Sequence, residues 1–276
     1  PLLNIFFILL PFDILFFILG VSLKSNRLFY LNSLIYLISN LSRGWMGAPL
    51  LLLFAFLCRT EGFYINGKNL FKILISIIIF FLICPYLLEL KWVIRGNYDI
   101  IDVIENVNKF GYEEYLMESM NYVFNRFQHV GHVALILDNS DYLSMKYDHM
   151  SNMVPYWAEG LIQSIFMNIA HIDGNLTFSR FATMYLFKVS LAQSWTTNVG
   201  MAGWFFILGY KVIFYILYIL LILFIPFSFV AKYADRRLFL MLSTFSIFYL
   251  FHGWLFAYIT FCTYILIIIF LSKIKL

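Results

Sequence analysis

The chain has 276 residues, 62% hydrophobic and 12% charged, including 32 Phe and 19 Tyr, and its mean hydropathy is +0.84. A soluble domain of this length does not carry so much apolar surface, and long continuous runs such as ILISIIIFFLICPYLL exclude a transmembrane β-barrel built from short alternating segments. The composition predicts an all-α, polytopic helical membrane protein, in which the placement of the +4 net charge says more than its size.

Five apolar zones follow one another at about 3–22, 28–58, 70–90, 203–231 and 238–272. Basic clusters separate them: Lys24 and Arg27; Arg59, Lys68 and Lys72; Lys232, Arg236 and Arg237; Lys273 and Lys275. Placing every cluster on the cytoplasmic face satisfies the positive-inside rule. Zone 28–58 has basic residues on both sides, so it crosses an even number of times, yet two full spans need roughly 40 residues. A hairpin of short or tilted helices is predicted, with its tip near Ser42-Arg43-Gly44. The same reasoning puts a second tip near His252-Gly253-Trp254. The expected topology is about seven spans with Pro1 outside: transmembrane helices over 1–90, an outer cap over 91–198, and transmembrane helices over 199–276. The first apolar run begins at once, with no basic n-region before it, so no cleavable signal pattern is read and a C-terminal portion of a longer protein is expected. Asp13, after Pro11 in the first zone, reads either as a functional intramembrane carboxylate or as a hydrogen-bonded packing residue at a kink.

Residues 91–198 are different material, with 11 Asp and Glu, 7 Lys and Arg, and four of the five histidines. The segment is too long for a bare connection. Helical spacing is set by Ile101, Ile104, Val107, Tyr115, Tyr122 and Phe124. VPYWAEGLIQSIFMNIA predicts a short interfacial helix after Pro155, and LTFSRFATMYLFKVSLA another amphipathic piece. Together these make a helical cap holding Arg126, His129, His132, Trp157, Glu159, His171 and Arg180. Carboxylates, histidines and aromatic rings suit sugar handling. In SWTTNVGMAGWFFILGYK, Gly200, Ala202 and Gly203 allow close helix approach or a chain break at the membrane surface.

Cys58, Cys84 and Cys262 lack CxxC spacing and suggest neither a disulfide framework nor a metal site. His129 and His132 can share a helical face, but no Cys or HExxH pattern accompanies them, and no metal is predicted. No phosphate-binding glycine loop, GxGxxG or nucleic-acid signature is present.

Three elements stand in order: Ser42-Arg43-Gly44 at an outer tip, Arg126 early in the large loop within NRFQHVGHVALIL, and the turn Thr197-Asn198-Val199-Gly200-Met201-Ala202-Gly203 after it. In these the chain resembles the O-antigen polymerase (Wzy) family, within the wider O-antigen polymerase and ligase superfamily. MVPYWAEGLIQSIFMNIA resembles the central Pro…Phe portion of that family's loop. The motifs are short, and their order and topology carry the resemblance over most of the chain. It implies a GT-C-like glycosyltransferase of the bacterial inner membrane with a periplasmic active face and no cofactor. The implied reaction is metal-independent: a glycan moves from undecaprenyl pyrophosphate to the terminal sugar hydroxyl of a new lipid-linked repeat unit, building O-antigen of lipopolysaccharide or a similar polysaccharide. Implied partners are the undecaprenyl-pyrophosphate-linked oligosaccharide, membrane lipid and a chain-length regulator, with no nucleic acid. Family members have about ten or more spans, which again implies that an N-terminal portion is missing here.

For that chemistry Arg43 and Arg126 are the candidate catalytic cations, because a guanidinium fork pairs with phosphate oxygens and stabilises a departing pyrophosphate. His129, His132 and Glu159 are candidate catalytic bases, and spacing selects none of them. Trp157, Thr197, Asn198 and Arg180 are candidate substrate-binding residues. Plainer readings stand beside these. Arg43 can snorkel to lipid phosphates, Arg126 can pair with Glu118 or Asp138, Arg180 and Arg95 can face solvent as loop arginines, and His252 can anchor an interface. The alternatives are an O-antigen ligase of the same superfamily, for which the late-loop histidine is missing from 194–198, and a lipid-linked oligosaccharide flippase, for which repeated halves and mid-membrane polar residues are missing.

Overall fold

The computed structural model describes residues 11–22, 25–42, 47–60, 67–96, 111–125, 129–171, 174–190, 197 and 199–273. These contain thirteen α-helices, two 3-10 turns and no strand beyond one isolated bridge between Met153 and Leu176. The chain forms two compact units, Pro1–Phe127 and Gln128–Leu276. Their division falls inside the 91–198 segment.

In the first unit α1 (Phe12–Ser22), α2 (Asn26–Leu41) and α3 (Ala48–Arg59) pack on one another. Ser25 caps α2 by accepting the Leu28 N–H, and Pro49 opens α3, where a missing N–H is harmless. α2 and α3 have 16 and 12 residues, about 24 and 18 Å at 1.5 Å per residue. Two short helices thus occupy the zone 28–58, and Arg43 and Gly44 of the expected tip lie outside the described residues. Phe16 stacks on Tyr36 at 4.7 Å, and Phe17 meets the same ring edge-on. Asp13 lies in the first turn of α1, where a carboxylate complements the helix dipole.

Arg59, counted from the sequence among the cytoplasmic cations, is turned inward and buried. It donates to the Gly20 carbonyl at 2.8 Å and to Asn26 Oδ1 at 2.9 Å, with its guanidinium 4.9 Å above the Phe29 ring. It thereby satisfies a last-turn carbonyl of α1 that has no helical donor. Next come α4 (Gly67–Gly96) and α5 (Tyr112–Asn125), packed together. Pro85 inside α4 leaves the Phe81 carbonyl without its helical N–H. The Tyr112 hydroxyl lies 3.4 Å from that oxygen and 3.2 Å from the Leu82 carbonyl.

The second unit contains α6 (His129–Asp138), α7 (Ser140–Asp148), a 3-10 turn at Tyr156–Ala158, α8 (Leu161–Ile169), α9 (Phe178–Phe187), α10 (Gly203–Ile207), a 3-10 turn at Gly209–Lys211, α11 (Val212–Tyr233), α12 (Arg236–His252) and α13 (Leu255–Lys273). The single crossing expected over 203–231 is broken: α10 stops at Ile207 and packs on α6 and α7, and the chain turns at Gly209, whose φ is +52°. Glycine takes that conformation without a Cβ clash. The interfacial helix expected after Pro155 is likewise split, by Gly160 with φ +156° and ψ +159°.

Among the described residues two helical stretches are long and apolar enough to cross a membrane, Gly209–Tyr233 and Leu255–Lys273, with 18-residue windows of mean hydropathy 2.7 and 2.3. α11, α12 and α13 pack in all three pairings. Asp235 caps α12 by accepting the Leu238 N–H at 2.9 Å, and Gly253 ends it at φ +73°. At one end of this bundle Lys232 and Lys273 lie 5.1 and 5.5 Å from the Tyr233 ring. The Gly253-Trp254 tip is at the other end. Cys58, Cys84 and Cys262 are buried free thiols.

Candidate functional site

Among the residues singled out from the sequence, Arg43, Arg126, Asn198 and the side chain of His129 lie outside the described residues. His132, on α6, meets Phe187 edge-on at 5.9 Å, and its Nδ1 is buried with no hydrogen-bond partner. Trp157 is exposed in the 3-10 turn. Arg180 donates to the Ser190 carbonyl at 3.3 Å. Thr197 is buried: its N–H donates to Thr183 Oγ1 at 2.8 Å, and its hydroxyl lies 3.2 Å from that oxygen and 3.3 Å from the Ser179 carbonyl. Those contacts pin the chain to α9 and occupy the polar atoms of Thr197.

Glu159 is positioned by a tightly specified turn. The Val154 N–H donates to the Leu176 carbonyl at 2.9 Å, and the Asn152 and Asn175 amides pair at 3.2 Å, which fixes the approach to Pro155. The 3-10 turn then presents Tyr156, and Glu159 follows in extended conformation. A Cβ on Gly160 would collide with the Gln163 amide and lie 2.8 Å from Ile259 Cγ2. Only glycine fits there, by conformation and by space.

Around Glu159 the Tyr156 ring packs on Tyr215 at 5.0 Å, Tyr218 at 5.4 Å and Trp204 at 5.8 Å. The carboxyl lies within electrostatic reach of the Tyr215 and Tyr218 hydroxyls. Burial pushes the Glu159 pKa up from its ordinary 4.5 to about 8. The Tyr156 hydroxyl is raised by burial too. Gln163 and the buried Tyr218 hydroxyl face one another as side-chain partners beside this carboxyl.

A second feature is an open cleft of about 550 Å³ lined by Tyr142, Met184, Tyr185, Lys188, Val189 and Ser190. The Lys146 ammonium sits 5.6 Å from the Tyr142 ring and 5.9 Å from the Tyr185 ring. From the cleft a row of rings leads inward: Tyr185 to Phe181 at 5.0 Å, Phe181 to Phe178 at 6.3 Å, Phe178 to Trp204 at 4.4 Å, then Tyr156 beside Glu159. The spacing of Phe178, Phe181 and Tyr185 was the available sequence signal for this row, since i, i+3 and i+7 share one helical face.

The 197–203 turn and the second hairpin tip, separate in the sequence, meet in the fold. A Cβ on Gly253 would lie 2.8 Å from the Gly200 backbone. The Met201 N–H donates to the Leu250 carbonyl at 3.2 Å, and its own carbonyl accepts the Tyr215 hydroxyl at 2.9 Å. Gly203 clears Phe178, whose Cε1 a Cβ would approach to 2.8 Å. His252 is packed into the tip, with Nδ1 2.8 Å from the Phe248 carbonyl and its ring 4.8 Å from Trp254. Among the described residues no three His, Cys, Asp or Glu side chains converge as a metal site. No protein-family model, curated protein or solved structure matches the chain.

Proposed function

We propose that this chain is a multi-pass inner-membrane glycosyltransferase that polymerises undecaprenyl-pyrophosphate-linked oligosaccharides on the periplasmic face, with Glu159 as the general base. The half-buried Glu159 carboxyl among the tyrosines carries the reading. A pKa of about 8 leaves it mostly protonated at pH 7, and its ionised fraction is a far stronger base than an ordinary carboxylate. That strength suits a sugar hydroxyl, which becomes acidic only as it attacks.

In the proposed step the acceptor hydroxyl oxygen bonds to the anomeric carbon of the donor glycan while the bond from that carbon to the pyrophosphate oxygen breaks. Glu159 takes the hydroxyl proton, and the pyrophosphate lipid leaves with the electron pair. That charge grows toward the transition state, and the resemblance implies a guanidinium to meet it, for which Arg43 and Arg126 are the candidates it offers. Gln163 and Tyr218 offer polar atoms to the acceptor sugar. The tyrosines of the open cleft offer aromatic faces to the growing glycan, with Lys146 and Lys188 at hand for acidic sugars.

The test is polymer length in proteoliposomes supplied with lipid-linked repeat units, beside a lipopolysaccharide gel of cells carrying each variant at matched protein level. Glu159→Gln should collapse the ladder to core plus a single unit. An unchanged ladder rejects Glu159 as the base. Bare core without any unit favours the ligase or flippase alternative.

A further inference from the structure

We infer that α8 is an interfacial helix whose Ile162, Ile165, Phe166 and Ile169 side chains enter the lipid of the leaflet that borders the Glu159 site. At 100° per residue these four positions fall within an arc of about 100°. They are 59%, 41%, 58% and 73% exposed, while Met167 on the opposite side and Leu161 at the flank are buried. The stripe is thus as wide as an amphipathic helix needs, and it points away from the protein.

Lipid is the occupant that the surroundings fit. α8 packs on α13, one of the two helices long and apolar enough to cross a membrane. The contact is near the start of α13: Gly160, just before α8, faces Ile259, four residues after Leu255. That is about 6 Å along the helix axis from its first residue, so α8 lies at the end of a candidate span and not at its middle, as an interfacial helix must. Phe256, near the same start of α13, is exposed as well. Aromatic residues mark the same end of the bundle, with Tyr210 exposed before α11 and Trp254 before α13. A second copy of the chain fits less well. Four side chains on a nine-residue helix fall short of the roughly 800 Å² per partner of a stable interface, and α8 has no charged residue to form a rim.

The insertion rests on the membrane reading alone and not on glycosyl transfer. If both hold, Glu159, two residues before α8, sits at headgroup depth beside the phosphate of a lipid-linked donor.

Spin-label accessibility in lipid nanodiscs tests the inference. The three native cysteines are buried, so the wild-type chain exposed to the label is the blank. Labels go on Ile165→Cys and Ile169→Cys on the stripe, Asn168→Cys beside it, and Phe224→Cys in the middle of α11. The stripe labels should relax with oxygen in preference to a water-soluble nickel chelate, with a ratio several-fold above that at Asn168 and below or near that at Phe224. A nickel-dominated response at both stripe sites with an oxygen-dominated one at Phe224 overturns the inference and leaves the membrane reading standing. Exclusion of both reagents from the stripe overturns it in favour of a protein partner. A nickel-dominated response at Phe224 as well overturns the membrane reading itself.

Discussion

The Tyr258 hydroxyl sits 3.4 Å from the carbonyl of Ile222, the oxygen that Pro226, four residues later, leaves without its helical N–H. Tyr112 does the same for Phe81 and Pro85 in the other unit. Each of these two helices with an interior proline has a tyrosine from a neighbouring helix at the carbonyl it strands. Tyr258→Phe should therefore cost about 1–3 kcal/mol, the range for a buried acceptor losing its donor. The cost should shrink in a Pro226→Ala background, where residue 226 regains an N–H for Ile222. Unfolding in micelles by denaturant, run as a double-mutant cycle, measures the coupling. Equal costs in both backgrounds would show that the hydroxyl does not serve this carbonyl.

Two glycines separate conformational need from spatial need. Gly209 and Gly253 both have positive φ, +52° and +73°, but a Cβ at Gly209 meets nothing within 4 Å while one at Gly253 meets the Gly200 backbone at 2.8–2.9 Å. Gly209→Ala should cost only the left-handed penalty of about 1 kcal/mol. Gly253→Ala should cost that and the displacement of the 197–203 turn, and lower the thermal midpoint several times as far. Matching midpoints for the two variants would mean that the tip and the turn do not touch.

Glu159 makes stability depend on pH. The folded chain holds this proton up to about pH 8, whereas an ordinary glutamate releases it near 4.5. Between those values the unfolded chain binds fewer protons, so stability falls as pH rises through the window. Glu159→Gln should abolish that part of the slope, and the variant should gain on the wild type from pH 5 to about pH 8 in thermal unfolding and no further above it. The proposed base role adds a second signature: wild-type polymerisation should climb toward pH 8 and level off above it. A flat difference in stability between the two chains would mean that the carboxyl is hydrated and ionised.

Part of this was legible in the sequence. The tips near Ser42 and Gly253 follow from charge placement and zone length, because short helices flanked by cations on both sides have no other way to return. The break between α10 and α11 was not read, since the apolar residues on both sides of Gly209-Tyr210-Lys211 suggest one span and only packing of α10 on α6 and α7 shows that the chain turns there. Arg59 read as a surface cation because a basic residue at a helix end usually is one. Its inward turn depends on the Gly20 carbonyl and Asn26, which spacing does not reveal. Glu159 stood level with His129 and His132 for a similar reason. What distinguishes it is enclosure by Tyr215 and Tyr218 from α11, distant in sequence and adjacent in the fold.

The cleft tyrosines offer a test of glycan binding apart from chemistry. Tyr185 lines the cleft, meets Tyr142 at 5.9 Å and carries Lys146 above its ring. If the cleft holds the glycan through stacking, Tyr185→Ala should raise KM for long-chain donors by roughly 5–10-fold, about 1–1.4 kcal/mol at 1.4 kcal/mol per tenfold, and leave kcat nearly unchanged. That split marks loss of binding shared by ground and transition states. Tyr185→Trp, which keeps an aromatic face, should restore most of the affinity, whereas a variant that merely unpacks α9 would not be rescued. Short donors that do not reach the cleft should be indifferent to both changes. Chain-length distributions from the three chains at equal substrate decide it: a shorter mode for Tyr185→Ala alone supports the cleft, and a kcat defect at every donor length places Tyr185 in the structure of α9 instead.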